Sequence, residues 1–282
     1  MATIGDIRFY IRTKLAERYT PTEIRELTRW LLEKLGQVTA HRLLWSDEPV
    51  PDEAEARVHE AVGRLLAYEP IQYIIGEAEF GGRTFQVAPG VLIPRPETWE
   101  LVCLVIETQA HRPTKLLDIG TGSGCIAISL AAELPEAQVS GVDISEEALR
   151  IARLNAERNQ VSVKWIHQDI LSEEADHLLG VYDALVSNPP YVMEKEKATM
   201  ARNVLDYEPA KALFVPDDDP LLFYRRMARL GREHLSEGGM LYFEINEQCG
   251  LQVKRLLEET GYREIELIQD FYGKDRIIKA GR

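Results

Sequence analysis

From Lys115 onward the chain alternates short apolar runs with longer amphipathic stretches, and this alternation restricts its fold more than any other feature. Residues 116–119, 138–143, 163–166 and 183–187 each read as a strand, with helical patterns over 125–133 and 146–159 between the first three. Strand, helix and strand in succession predict parallel pairing through crossover helices, the pattern of a doubly wound α/β sheet. A helix over 221–235, a strand over 239–245, a helix over 251–260 and strands over 265–268 and 277–279 complete the sheet. Between them, residues 192–217 are charged and weakly periodic, and the expectation there is a lid or substrate-binding loop.

The first part of the chain has a different texture. Ile7, Ile11 and Leu15, then Ile24, Leu27, Leu31 and Leu35, recur at helical spacing, as do Ala54, Val58, Ala61, Val62 and Leu65. Thr20-Pro21-Thr22-Glu23 is a helix start, with Thr at the N-cap, Pro in the first turn and Glu placed to close a capping box. Gly81-Gly82, flanked by Glu77 to Phe80 and Arg83 to Val87, signals a two-residue hairpin. The expected organisation is a small helical bundle over 1–73, a β-hairpin linker over 74–90 and an α/β domain over 91–282.

Composition narrows the function classes. Lys and Arg total 33 against 46 Asp and Glu, a net charge of −13, which repels polyanions and argues against a general nucleic-acid binder. No apolar run reaches the length of a membrane span, and residues 1–6 lack a signal-peptide layout, so a cytoplasmic protein with no membrane contact is expected. Cys103, Cys125 and Cys249 are widely spaced, which supports neither a disulfide framework nor a zinc site, and no metal is expected.

Two motifs carry chemistry. Asp118-Ile119-Gly120-Thr121-Gly122-Ser123-Gly124 follows the first strand of the alternating region and opens a helix, so backbone can approach a ligand there. The G-x-G-x-G spacing departs from the dinucleotide G-x-G-x-x-G and fits S-adenosylmethionine better than NAD. Asp143, ending the second strand, is placed to accept ribose hydroxyls; Asp169 could accept from an adenine amino group, with Ile170 against the purine. Solvated carboxylates and helix caps remain the alternative for both acids.

Asn188-Pro189-Pro190-Tyr191, just beyond the run Ala184-Leu185-Val186-Ser187, is the second motif. A conjugated NH2 is a poor nucleophile, so methylating it requires both N–H bonds to be held. The Asn188 side-chain carbonyl and the Pro189 main-chain carbonyl can each accept one N–H, Tyr191 can stack on the flat group, and Pro190 helps stiffen the loop. Both motifs would lie at carboxyl ends of neighbouring strands, where such sheets bind ligands.

On these residues, together with Ile93-Pro94-Arg95-Pro96-Glu97-Thr98, Tyr207-Glu208-Pro209, Phe243-Glu244-Ile245-Asn246 and Gly273-Lys274-Asp275-Arg276, the chain resembles the release-factor glutamine methyltransferases over nearly its whole length. The resemblance implies a Rossmann-like class I S-adenosylmethionine methyltransferase domain behind a helical bundle that binds the release factor. It implies transfer of a methyl group to the side-chain amide N5 of the glutamine in the Gly-Gly-Gln motif of class 1 peptide chain release factors, with S-adenosylhomocysteine as product. Asn188, Pro189 and Tyr191 are the catalytic candidates, and Asn188 to Tyr191 with Arg95 and Glu97 the substrate-binding ones. Gly120, Thr121, Gly122, Ser123, Gly124, Asp143, Asp169, Ile170, Asn188 and Thr98 are those for the cofactor. A monomer acting without nucleic acid is expected. Trp99 departs from the family, which usually has Glu there, and Ile170 stands where some members carry Trp. Two alternatives stay open: a nucleic-acid amino methyltransferase, since adenine N6 offers the same NH2 geometry, and a non-catalytic cofactor-binding interaction module.

Overall fold

A computed structural model describes residues 2–110 and 114–282. Its chain divides into two compact units, Met1–Gly76 with Ala201–Tyr207, and Glu77–Met200 with Glu208–Arg282.

The first unit is helical. It contains α1 (Ile4–Leu15), α2 (Pro21–Trp30) running into a π-turn (Leu31–Leu35), α3 (Asp52–Leu66) and α4 (Ile71–Ile75). Thr20 caps α2 through the reciprocal box with Glu23 read from the sequence, and Thr3 with Asp6 does the same for α1. Ile4, Ile7, Ile11 and Leu15 pack with Leu31, Leu32, Val58, Val62 and Leu65, all at most 1% exposed. Arg8, Arg12, Arg25 and Arg29 line a cleft of about 660 Å³ together with Ile24 and Leu32, and Phe9 lies exposed among them.

The second unit opens with β1 (Glu77–Phe80) and β2 (Arg83–Gln86), paired across a Gly81-Gly82 turn in which both glycines have positive φ. Trp99 packs edge-on against Phe80 at 5.5 Å and covers Gly81 so closely that an added Cβ would stand 2.2 Å from the indole. Trp99 thus braces this hairpin.

After α5 (Thr98–Gln109) come β3 (Lys115–Ile119), α6 (Cys125–Glu133), β4 (Gln138–Asp143), α7 (Glu146–Arg158), β5 (Lys164–His167), α8 (Ala175–Leu178) and β6 (Tyr182–Ser187). Residues 192–217, expected as a lid or substrate-binding loop, carry short regular elements. In chain order these are β7 (Val192–Met193), a 3-10 turn (Glu194–Thr199), α9 (Arg202–Leu205), α10 (Ala210–Leu213) and β8 (Phe214–Val215), with β7 and β8 paired in parallel. These elements are only two to six residues long, too short to leave a periodicity in the sequence. The chain closes with α11 (Leu222–His234), β9 (Leu235–Glu244), α12 (Gly250–Glu259), β10 (Arg263–Gln269) and β11 (Asp275–Gly281).

Seven strands make one sheet in the order β10-β11-β9-β6-β3-β4-β5. The pairs linking β9, β6, β3, β4 and β5 are parallel, and β11 joins antiparallel to β9. Successive side chains along a strand point to opposite faces, so the sheet feeds two cores: Leu117, Leu185, Leu241 and Phe243 on one side, Leu116, Ala184, Val186 and Tyr242 on the other. Strand order reverses between β3 and β6, and ligands bind outside the carboxyl ends of strands at such a point. Among the described residues no helix is long and apolar enough to cross a membrane.

Candidate active site

The glycine loop follows β3 and the Asn188 loop follows β6, so they flank the reversal point. The Ser187 hydroxyl donates to the Ile119 carbonyl at 2.6 Å and ties the two strand ends together. Gly120 and Gly122 adopt φ of +73° and +54°, which side chains rarely tolerate, and no heavy atom stands within 4 Å of a Cβ built on either. Space for a ligand is therefore open along this backbone. Thr121 and Ser123 are buried, the Thr121 hydroxyl donating to Asp118 Oδ2 at 2.6 Å. Gly124 instead packs, since its Cβ would press on Ile128 at 2.9 Å.

Asp143 lies across the loop. Its Oδ2 accepts the Gly122 N–H at 2.8 Å and its Oδ1 the Ser145 N–H at 2.9 Å, which fixes the carboxylate beside the loop. Burial raises its pKa. Asp118, beneath the loop, is raised to about 7, chiefly by burial, and its Oδ1 meets no donor among the described residues. Asp118 near the end of β3 and Asp143 at the end of β4 thus put two acids beside the glycine loop. An acidic floor suits a cationic sulfonium and opposes the pyrophosphate of a dinucleotide, so the residues present fit S-adenosylmethionine.

Asp169 and Ile170 follow β5. Asp169 Oδ1 accepts the Leu171 N–H at 2.9 Å, a local turn, while Ile170 is 9% exposed and belongs to the core, leaving a thin edge for a ligand.

On the opposite side of the reversal, Asn188 is half-buried, Pro189 buried, and Pro190 and Tyr191 half-buried. Asn188 Nδ2 donates to Thr98 Oγ1 at 3.1 Å, the Thr98 hydroxyl donates to Glu244 Oε2 at 2.6 Å, and the Tyr191 hydroxyl donates to Glu244 Oε1 at 3.0 Å. Asn246 Nδ2 holds the Tyr191 carbonyl at 3.1 Å. Among the described residues no hydrogen bond is made to Asn188 Oδ1 or to the Pro189 carbonyl, which leaves both acceptors available. Thr98, expected beside the cofactor, is thus engaged with Asn188. Arg95 pairs with the buried Glu208 at 2.5 Å, and half-buried Glu97 precedes α5 and adds negative charge near Glu244.

Sequence reasoning missed the roles of Glu244 and Asn246. Their one local signal is a carboxylate and an amide that end the apolar strand Met240 to Phe243.

A Rossmann-like sheet carrying a glycine loop after one strand and Asn-Pro-Pro-Tyr after its neighbour defines the class of S-adenosylmethionine-dependent methyltransferases. Residues 101–213 match the methyltransferase small domain, and residues 7–76 the PrmC N-terminal domain. A release factor glutamine methyltransferase of Bacteroides thetaiotaomicron is 51% identical over 98% of this chain and 99% of its own. Another, of Flavobacterium psychrophilum, is 44% identical over 94% of each chain. This chain belongs to the release factor glutamine methyltransferase family.

Solved structures agree on the fold. A methyltransferase from Pyrococcus furiosus superposes with a TM-score of 0.53 at 19% identity, covering 78% of this chain and 96% of its own. The 16S rRNA N2 G1207 methyltransferase of T. thermophilus does so with a TM-score of 0.51 at 19% identity, over 73% and 49%.

Proposed function

We propose that this chain methylates the side-chain amide N5 of the glutamine in the Gly-Gly-Gln motif of class 1 peptide chain release factors. The observation that carries the reading is the pair of unclaimed carbonyls, Asn188 Oδ1 and Pro189 O, beside a Tyr191 ring whose hydroxyl is anchored. A primary amide offers two N–H donors in one plane, and these acceptors match them.

S-adenosylmethionine supplies an electrophilic methyl group, and transfer breaks its C–S bond, makes a C–N bond and releases a proton to water. The work of the protein is to prepare the amide. As nitrogen bonds to carbon its lone pair leaves the amide π system and its N–H bonds become more acidic. Hydrogen bonds to Asn188 and Pro189 therefore strengthen in the transition state, which is what lowers the barrier. Tyr191 limits rotation of the flat group, and its hydroxyl stays protonated because burial and Glu244 push its pKa far up.

The helical unit is assigned to gripping the release factor outside its glutamine loop. The arginine-lined cleft supports this, because a cationic site with an exposed Phe9 on a chain of net charge −13 is suited to an acidic, partly apolar protein segment. On this reading the chain works in the cytoplasm, as a monomer and without nucleic acid.

The test is incubation of the pure protein with S-adenosylmethionine and an unmethylated class 1 release factor, followed by peptide mass spectrometry. A gain of one methyl on the Gly-Gly-Gln glutamine is expected. Methyl found instead on DNA or RNA, with none on the protein, overturns the reading.

A further inference from the structure

We propose that Glu244 is a positioning residue whose carboxylate sets the direction of a hydrogen-bonded chain through Thr98, so that Asn188 turns its carbonyl oxygen, and not its NH2, toward the target amide. The inference rests on the reading of Asn188 given above and assigns the residue that enforces it.

The polarity follows from what each group can do. An ionised carboxylate only accepts hydrogen bonds, and a hydroxyl has one proton to give. Thr98 Oγ1 lies 2.6 Å from Glu244 Oε2, and both side chains are buried, at 2% and 1% exposure, so no water competes for that proton. With its proton committed, the Thr98 oxygen can only accept. The Asn188 atom 3.1 Å away must then be Nδ2, and the planar amide carries Oδ1 away from Thr98. The second carboxylate oxygen takes the Tyr191 hydroxyl at 3.0 Å, so one carboxylate orients both the acceptor and the stacking ring. Asn188 and Thr98 are ninety positions apart in sequence, and Glu244 joins a third segment to them.

Protonation would reverse this order. A neutral Glu244 can donate to Thr98, Thr98 can then donate to Asn188 Oδ1, and the amide turns half a revolution to face an incoming NH2 with its own. Burial raises the Glu244 pKa and Glu97 adds to the rise, while the hydrogen bonds from Thr98 and Tyr191 and the Arg276 guanidinium on β11 oppose it. Tyr224 on α11 donates to the Glu244 main-chain carbonyl at 3.2 Å, and Cys125 at the start of α6 also feels the carboxylate. A simple brace between α5 and β9 would need a buried polar contact, but it would not need that contact to have a direction.

The experiment compares wild type, Glu244→Gln, Thr98→Val and Thr98→Ser for cofactor affinity and for kcat on an intact release factor across pH. Expected are cofactor Kd values within about threefold of wild type and a kcat about 100-fold lower in Glu244→Gln and Thr98→Val. Thr98→Ser, which keeps the hydroxyl, should recover most turnover, and Glu244→Gln should lose the acid limb of the wild-type kcat profile. Wild-type kcat in Glu244→Gln with the acid limb intact overturns the proposal. Neutron diffraction of the wild-type protein reads the same point without substrate: the Thr98 deuteron should point at Glu244, and one pointing at Asn188 refutes the assignment. If wild type methylates no release factor, the substrate reading fails, and the deuteron still decides the role of Glu244.

Discussion

Glu208, only 6% exposed, holds two parts of one loop, accepting from Arg95 at 2.5 Å and from the Ile93 N–H at 3.1 Å. The two contacts pin the Ile93-Pro94-Arg95-Pro96 segment that leads into α5 and therefore into Thr98. Glu208→Ala would leave a buried N–H without an acceptor and Arg95 without its partner. Because Arg95 is partly exposed, water recovers some of the loss, and a destabilisation of roughly 2 kcal/mol is expected by urea unfolding. Glu208→Gln, which keeps an acceptor, should lose less; wild-type stability in Glu208→Ala would show that the contacts carry none.

Asn188→Ala removes one of the two proposed acceptors and leaves the glycine loop untouched. Cofactor binding by calorimetry should be retained, while kcat falls about 100- to 1,000-fold. Near-normal turnover would exclude Asn188 from the chemistry.

Asp118 gives a pH signature of known sign. Burial raises its pKa from the ordinary 3.8 to about 7, so between these values the folded state binds a proton that the unfolded state has released. Stability from this group is complete below about pH 4 and is lost as pH rises through about 7, by a few kcal/mol in order of magnitude. Asp118→Asn keeps an acceptor for Thr121 and cannot ionise. Denaturant unfolding from pH 5 to 8 should therefore show the variant gaining on wild type as pH rises; parallel curves would mean that Asp118 is ionised throughout.

Arg12→Glu combined with Arg25→Glu reverses two charges at the cleft of the helical unit. Both side chains are exposed, so little effect on folding is expected. The apparent KM for an intact release factor should rise about tenfold or more, with kcat at saturation and cofactor affinity unchanged. An unchanged KM would remove this cleft from substrate binding.

Local sequence determined a large part of the molecule. The periodicity at Ile7, Ile11 and Leu15, the Thr20-Glu23 box, the Gly81-Gly82 turn and the alternation beyond Lys115 each act over a few residues, and each element forms where its pattern lies. The positive φ of Gly120 and Gly122 is likewise a local demand that a glycine-rich turn announces. The folding of residues 192–217 was not, since elements of two to six residues are stabilised by what they pack against and leave no periodic trace. The partnership of Asn188, Thr98, Tyr191 and Glu244 also came only from tertiary structure. Hydrogen-bond direction depends on which donors and acceptors meet out of reach of water, and here they meet only once β6, β9 and the start of α5 are packed together.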